Sequence, residues 1–271
     1  MIIHSVGLRL MTRLFHCIWV VFALAACNSY NIKADISPEE RFKIAKQMSS
    51  KEDYFDAKNQ LRILTLNSPG LPFIDEAQYL LAECHFNMKE YLIAADEYER
   101  LTRFYPRSEW LDDARYKIAF CSYKLSPKPS LDPKYTLQAV QQFQAFIEEY
   151  PGSSLVQEAE KLLRECRGKL AQKEYKAGEL YRKTGNYDAA IVYFDGVLNG
   201  YYDTEFAKPA LFWKGECLYS LKEFQRASNI FLELIEKYPK SEFISLAKER
   251  VEKIESELAH MREANGKTPN P

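Results

Sequence analysis

The stretch AADEYERLTRFYPRS, residues 94–108, ends in a Tyr-Pro-x-Ser joint that occurs three times: Tyr105 to Ser108, Tyr150 to Ser153 and Tyr238 to Ser241. Twelve residues before each proline stands an alanine, Ala94, Ala139 and Ala227. Pro69 has Ala57 at the same offset, and Tyr202 has Ala190. Four and seven residues after the alanine come bulky apolar residues: Leu61 and Leu64, Tyr98 and Leu101, Phe143 and Phe146, Phe194 and Val197, Phe231 and Leu234. That spacing is one apolar stripe on an α-helix, repeated five times. The proline that follows lacks an N–H to continue the helix, and the serine two residues later is a candidate cap for the next one.

A second small residue follows each break. Ala77, Ala114, Ala159, Ala210 and Ala247 all lie eight residues beyond the proline or Tyr202, so two kinds of helix alternate. The interval from Pro69 to Pro106 is 37 residues, and that from Tyr202 to Pro239 is 37 again. This is close to the roughly 34 residues of a tetratricopeptide repeat. The pattern predicts an all-α chain: an α-solenoid of about five helical hairpins, with a capping helix over residues 242–259. Two intervals are longer. Pro106 to Pro151 spans 45 residues, and the excess lies at SPKPSLDP, residues 126–133, whose three prolines predict a protruding loop. Pro151 to Tyr202 spans 51 residues with no proline between them. The extra fourteen make about 3.9 helical turns, which keeps a buried face in line. One long helix, or one kinked at Gly168, is expected there.

The expected organisation is a leader over residues 1–26, a tether over 27–36, and front repeats 1–3 over 37–152. A long connecting segment with the first helix of repeat 4 covers 153–183. The rear repeats 4 and 5 with the capping helix cover 184–260, and a flexible tail covers 261–271. The leader carries Arg9 and Arg13 and then an apolar run from Leu14 to Ala26, short of the roughly 20 residues of a membrane span. Met11 offers an alternative start, because a complete short signal follows it. Leu24-Ala25-Ala26-Cys27 resembles the lipobox of bacterial lipoproteins, where a diacylglycerol is attached to the cysteine sulfur and cleavage leaves that cysteine N-terminal. An ordinary leader with a chance cysteine is the alternative. In such lipoproteins an aspartate after the cysteine favours the inner membrane; here Asn28 follows, which implies the outer membrane, periplasmic face, with the chain held through its lipid. Residues 28–36 reach about 30 Å when extended.

The remaining composition narrows the function. The chain has 37 basic and 38 acidic residues, for a net charge of −1, and no basic block of the kind that binds nucleic acid. Outside the leader and Cys27 the cysteines are Cys84, Cys121, Cys166 and Cys217, each fifteen residues after Pro69, Pro106, Pro151 or Tyr202. Ile254 takes the same place after Pro239, so an apolar core position accounts for them. Stacked helices 8–10 Å apart hold equivalent cysteines beyond bridging distance; an even cysteine count in an exported chain is the argument for disulfides. No Walker A, GxGxxG, zincin or Cys/His metal spacing occurs, and the two histidines after the leader, His85 and His260, form no catalytic set. No enzyme, metal or cofactor is expected, apart from the lipid on Cys27.

Protein binding remains. In the first helices a further small residue recurs, Ala45, Ala82, Ala119, Gly178 and Gly215, and the positions three residues before it are Phe42, Tyr79, Tyr116, Tyr175 and Phe212, all aromatic. Four residues after it come Ser49, Phe86, Tyr123, Arg182 and Tyr219. On the concave side of a tetratricopeptide stack, Tyr79, Phe86, Tyr116, Phe120 and Tyr123 would form an aromatic floor for extended peptides. The other reading is that these rings pack against their neighbours.

The lipobox, the five repeats, the Tyr-Pro-x-Ser joints, LDPKYTLQAVQQFQAFIEEYPGS (131–153) and QKEYKAGELYRKTGNYDAAIVYFDGVLNGYYDT (172–204) together resemble the BamD family, also called YfiO or ComL, along essentially the whole mature chain. Tyr202 departs from the proline expected in the fourth joint. The resemblance implies a non-enzymatic lipoprotein of the outer-membrane β-barrel assembly machine. Its rear repeats would dock on the periplasmic domains of a BamA-like β-barrel protein, beside other members of that complex, and its front repeats would meet unfolded outer-membrane proteins. The alternative is a periplasmic tetratricopeptide scaffold for cell-envelope or division complexes; a sugar-binding or enzymatic helical repeat protein is a third.

Overall fold

The computed structural model describes residues 36–266, so the leader, Cys27, the tether and residues 267–271 lie outside the described residues. The chain divides into an N-terminal unit, Met1–Arg41, and a unit spanning Phe42–Pro271. In the first, the Ser37 side chain accepts the Glu40 N–H at 3.2 Å, a serine cap one residue before the helix that begins at Pro38. In the second, every described element is helical.

The helices are α1 (Pro38–Ser50), α2 (Tyr54–Asn67), α3 (Ile74–Asn87), α4 (Tyr91–Phe104), α5 (Leu111–Leu125), α6 (Lys134–Glu149), α7 (Val156–Lys183), α8 (Tyr187–Gly200), α9 (Ala207–Ser220), α10 (Phe224–Lys237) and α11 (Ile244–Gly266). From α2 onward each packs on the next in the chain, and α5 also touches α7. Five helix pairs followed by a single helix match the order that the repeat pattern predicts.

The cores explain the spacing. A bulky stripe on each second helix is covered on one side by its own first helix and on the other by the next first helix. In one core Tyr79 and Ala82 of α3, Ala94, Tyr98 and Leu101 of α4, and Ala114, Ile118 and Cys121 of α5 meet. In the next, Tyr116 and Ala119 of α5 and Ala139, Phe143 and Phe146 of α6 meet Ala159, Leu162 and Cys166 of α7. Each first helix therefore has two buried faces, one toward the preceding pair and one toward its own partner. Burying each large side chain contributes about 1.5–3 kcal/mol, so these layers dominate stability.

In α7 the two faces are pulled apart along a single helix. Ala159, Leu162 and Cys166 close the front core. The face toward its own partner begins at Tyr175, which packs with Ala190, Phe194 and Val197 of α8 and with Ala210 and Cys217 of α9. In α3 the tyrosine follows the alanine by two residues, Ala77 to Tyr79; in α7 it follows by sixteen, Ala159 to Tyr175. The difference is the fourteen-residue excess. α7 is helical without interruption through Gly168. A last core joins Leu211 and Phe212 of α9 and Phe231 and Leu234 of α10 to Ala247 and Ile254 of α11.

Three expectations are corrected. The serines of the joints do not cap helices: Ser108 accepts the Trp110 N–H, Ser153 that of Leu155 and Ser241 that of Phe243, which closes a turn ahead of helices that start three residues after the serine. A tail beginning at 261 is replaced by helix to Gly266, because Met261, Arg262, Glu263 and Ala264 are good helix formers and no glycine intervenes before Gly266. The loop at 126–133 is non-helical as its prolines require, but it is held against α7. Lys169 donates to Ser126 Oγ at 3.1 Å and Lys173 to the Leu131 carbonyl at 2.8 Å.

Candidate functional site

The aromatic positions split into two sets. Tyr79 and Tyr116, expected in the groove, are buried, and so are Phe42, Tyr175 and Phe212 at the equivalent places. Tyr79 stacks on Trp110 at 4.6 Å and leans on Tyr98 at 5.7 Å. Tyr116 packs on Phe143 and Phe146 at 6.0 and 5.7 Å. Burial pushes the Tyr79 phenol far above its ordinary range and raises that of Tyr116. These rings are core, because the next second helix supplies bulky residues opposite them; they are not a contact surface.

Phe86, Phe120 and Tyr123 are partly exposed and form a ladder near the C-terminal ends of α3 and α5. Phe86 stacks on Phe120 with centroids 5.6 Å apart, and Phe120 on Tyr123 at 5.8 Å with planes 7° from parallel. Tyr116 joins Phe120 at 5.7 Å from below, tying the ladder to the core. A lysine lies over each ring: Lys117 at 4.6 Å from Phe86, Lys124 at 4.9 Å from Phe120 and Lys169 at 5.1 Å from Tyr123. Contacts of this kind contribute about 0.5–1 kcal/mol at exposed sites and hold the rings in place. Lys117 also reaches Glu83 at 2.7 Å, and Glu83 accepts the Tyr98 hydroxyl from the core. Tyr123 donates to Glu165 of α7 at 2.7 Å, and that hydrogen bond is the first reason its phenol is pushed up to about 12. The result is a rigid apolar strip with cationic edges.

In the rear repeats the same row is built differently. The Arg182 guanidinium lies 3.8 Å from the Trp213 ring centre, with its Nε buried and without a partner. Arg250 lies over Tyr219 at 4.8 Å and binds Glu216 through two bonds, at 2.6 and 2.8 Å. The front row therefore presents rings edged by lysines, and the rear row presents arginine and aromatic pairs.

The four repeat cysteines are buried and unbridged. Burial pushes the Cys84 and Cys166 thiols up to about 11 and those of Cys121 and Cys217 up to about 12, so they are poor nucleophiles at neutral pH. His85 is buried with Nδ1 2.6 Å from Glu90, and this contact holds the Glu90 carboxyl below its usual range. Both observations fit packing roles. The lysines around the ladder belong to no motif, and the one sequence signal for them is that Lys169, Lys173 and Lys176 fall at helical i, i+4 and i+7 spacing on one face.

Solved structures similar to this chain include a tetratricopeptide protein of Bacteroides fragilis, 14% identical over 82% of this chain and 99% of that one, TM-score 0.46. Others are the TPR2AB domain of yeast Sti1 in a complex with pHSP90, 13% identical over 84% and 86%, TM-score 0.41, and a tetratricopeptide protein of Thermus thermophilus, 16% identical over 80% and 98%, TM-score 0.35. No curated protein matches the chain. The model of the YfiO family, described as outer membrane lipoprotein, matches residues 34–229, well over half of the sequence, and the chain belongs to that family.

Proposed function

We propose that this protein is a periplasmic component of the outer-membrane β-barrel assembly machinery, anchored to the outer membrane by lipid on Cys27. Its rear repeats bind a BamA-like partner and its front repeats hold unfolded outer-membrane chains. Family membership supports the outer-membrane lipoprotein role. The observation that carries the binding role is the partly exposed ladder of Phe86, Phe120 and Tyr123. Barrel strands alternate apolar and polar residues. Successive side chains on one face of an extended chain lie about 6.6–6.8 Å apart, close to the spacing of these rings. Rings fixed in advance bind with little loss of side-chain entropy.

Photocrosslinking of barrel-protein peptides to the full lipoprotein tests this reading. Replacing Phe86, Phe120 and Tyr123 together with Ala is expected to reduce peptide capture at least tenfold while BamA association persists. Val192→Glu with Tyr202→Glu, at rear positions 68% and 67% exposed, is expected to do the reverse. Capture that is unchanged in the triple variant, with its helical melting unchanged, removes the ladder from the mechanism. Cys27→Ser is expected to abolish palmitate labelling, and labelling that persists overturns the anchor.

A further inference from the structure

A second surface adjoins the ladder. The loop at 126–133 and the face of α7 beside it line an open pocket of about 560 Å³, where Pro129, Ala177 and Leu180 are joined by Lys128, Lys173 and Lys176. Leu180 is 61% exposed, so an apolar side chain waits there without cover. Lys169 connects pocket and ladder, since its ammonium lies 5.1 Å from the Tyr123 ring and 3.1 Å from Ser126 of the loop.

Three lysines and no carboxylate line this pocket. Lys169 and Lys173 donate to a hydroxyl and a carbonyl, both uncharged, and among the described residues neither they nor Lys128 pairs with a carboxylate. Of the nearby acids, Glu179 pairs with Lys176 at 2.7 Å, Asp132 accepts the Lys134 backbone N–H at 2.9 Å and Glu165 accepts the Tyr123 hydroxyl, and none of the three lines the pocket. Two lysines held by neutral acceptors keep their full charge and a fixed position. They form a preorganised site for negative charge at little further entropic cost.

We infer that the loop at 126–133 and α7 form a subsite for carboxylates: the preferred occupant is an extended protein segment in which Asp or Glu flanks an aromatic or aliphatic side chain. The apolar side chain covers Leu180 and Pro129, the carboxylates meet Lys128 and Lys173 and compete with Glu179 for Lys176, and the following aromatic residues run onto Tyr123, Phe120 and Phe86. The lysines beside the rings repel a basic segment, so the face selects by charge as well as by apolar contact. This rests on the proposal that the ladder binds extended chains, and it adds the charge of the chains preferred.

Fluorescence anisotropy on the full chain, with a fluorescein-labelled octapeptide alternating Asp and Phe and its counterpart with Lys for Asp, tests the inference. The acidic peptide is expected to bind at least tenfold more tightly, with affinity falling as salt rises. Replacing Lys128, Lys173 and Lys176 together with Gln is expected to weaken it about tenfold and flatten the salt dependence. If that variant melts early, Lys128→Gln alone, which removes no described ion pair or hydrogen bond, is expected to weaken it two- to threefold. Equal binding of the two peptides, or acidic-peptide binding unchanged in the lysine variants, overturns the inference. So does binding confined to phosphatidylglycerol vesicles, which would make the surface a lipid contact. Loss of binding with Phe120→Ala and Tyr123→Ala but not with the lysine variants sinks the subsite and leaves the ladder standing; loss with neither sinks both.

Discussion

Gly178 and Gly215 occupy the small position that Ala45, Ala82 and Ala119 fill in the front repeats. A β-carbon at either glycine would meet the Phe194 or Phe231 ring at 2.7 Å, closer than real contacts allow. Gly178→Ala and Gly215→Ala are each expected to destabilise the protein by about 1–3 kcal/mol, through overpacking of a ring fixed by its own core. Thermal melting checks this, and an unchanged or raised melting temperature contradicts it. The repeat pattern marked the position as small but did not separate glycine from alanine, because that depends on the ring opposite. It also placed Tyr79 and Phe86 on one face, since seven residues turn a helix to within about 20° of its starting direction. Periodicity has no term for what lies above each ring. Trp110 covers Tyr79, whereas Phe86, near the end of α3, keeps part of its surface.

At the level of elements, α7 is the member on which both halves depend. Its length was legible from the fourteen extra residues and the lack of proline, because both are local properties. Its continuity through Gly168 was not. A glycine there costs about 1 kcal/mol relative to alanine, and both ends of α7 are locked in cores that hold the helix on course. No atom lies within 4 Å of a β-carbon built at Gly168, so Gly168→Ala is expected to raise stability by about 0.5–1 kcal/mol. Gly168→Pro removes a helical hydrogen bond and adds a clash, at a cost of about 3 kcal/mol. Calorimetry of the proline variant is then expected to show the front and rear repeats melting separately. One undivided transition, as sharp as that of the parent, would mean that α7 does not carry the coupling. The loop at 126–133 shows the complementary limit. Its prolines announced a break in the helices, but its attachment to Lys169 and Lys173 joins residues about forty positions apart, which no local pattern records.

For the molecule as a whole, stacking lets chemically ordinary residues act as one surface. Rings from two helices and lysines from three elements converge because each hairpin sets the place of the next. The fold class, the hairpin count and the family were readable from the sequence because the repeat is written five times over. The binding face was readable only in part, since its lysines come from α5, the loop and α7 and share no motif. In the proposed function the front of the stack receives unfolded outer-membrane chains while the rear is docked on the assembly machine. The measurement that tests it most directly is affinity purification of the tagged, full-length lipoprotein from detergent-solubilised envelopes, with bound proteins identified by mass spectrometry. The predicted result is recovery of a BamA-like β-barrel protein in stoichiometric amount, lost in the Val192→Glu and Tyr202→Glu variant and retained in the ladder variant. Recovery of cell-wall or division enzymes with no BamA-like protein would contradict it and assign the stack to a scaffold of the cell envelope.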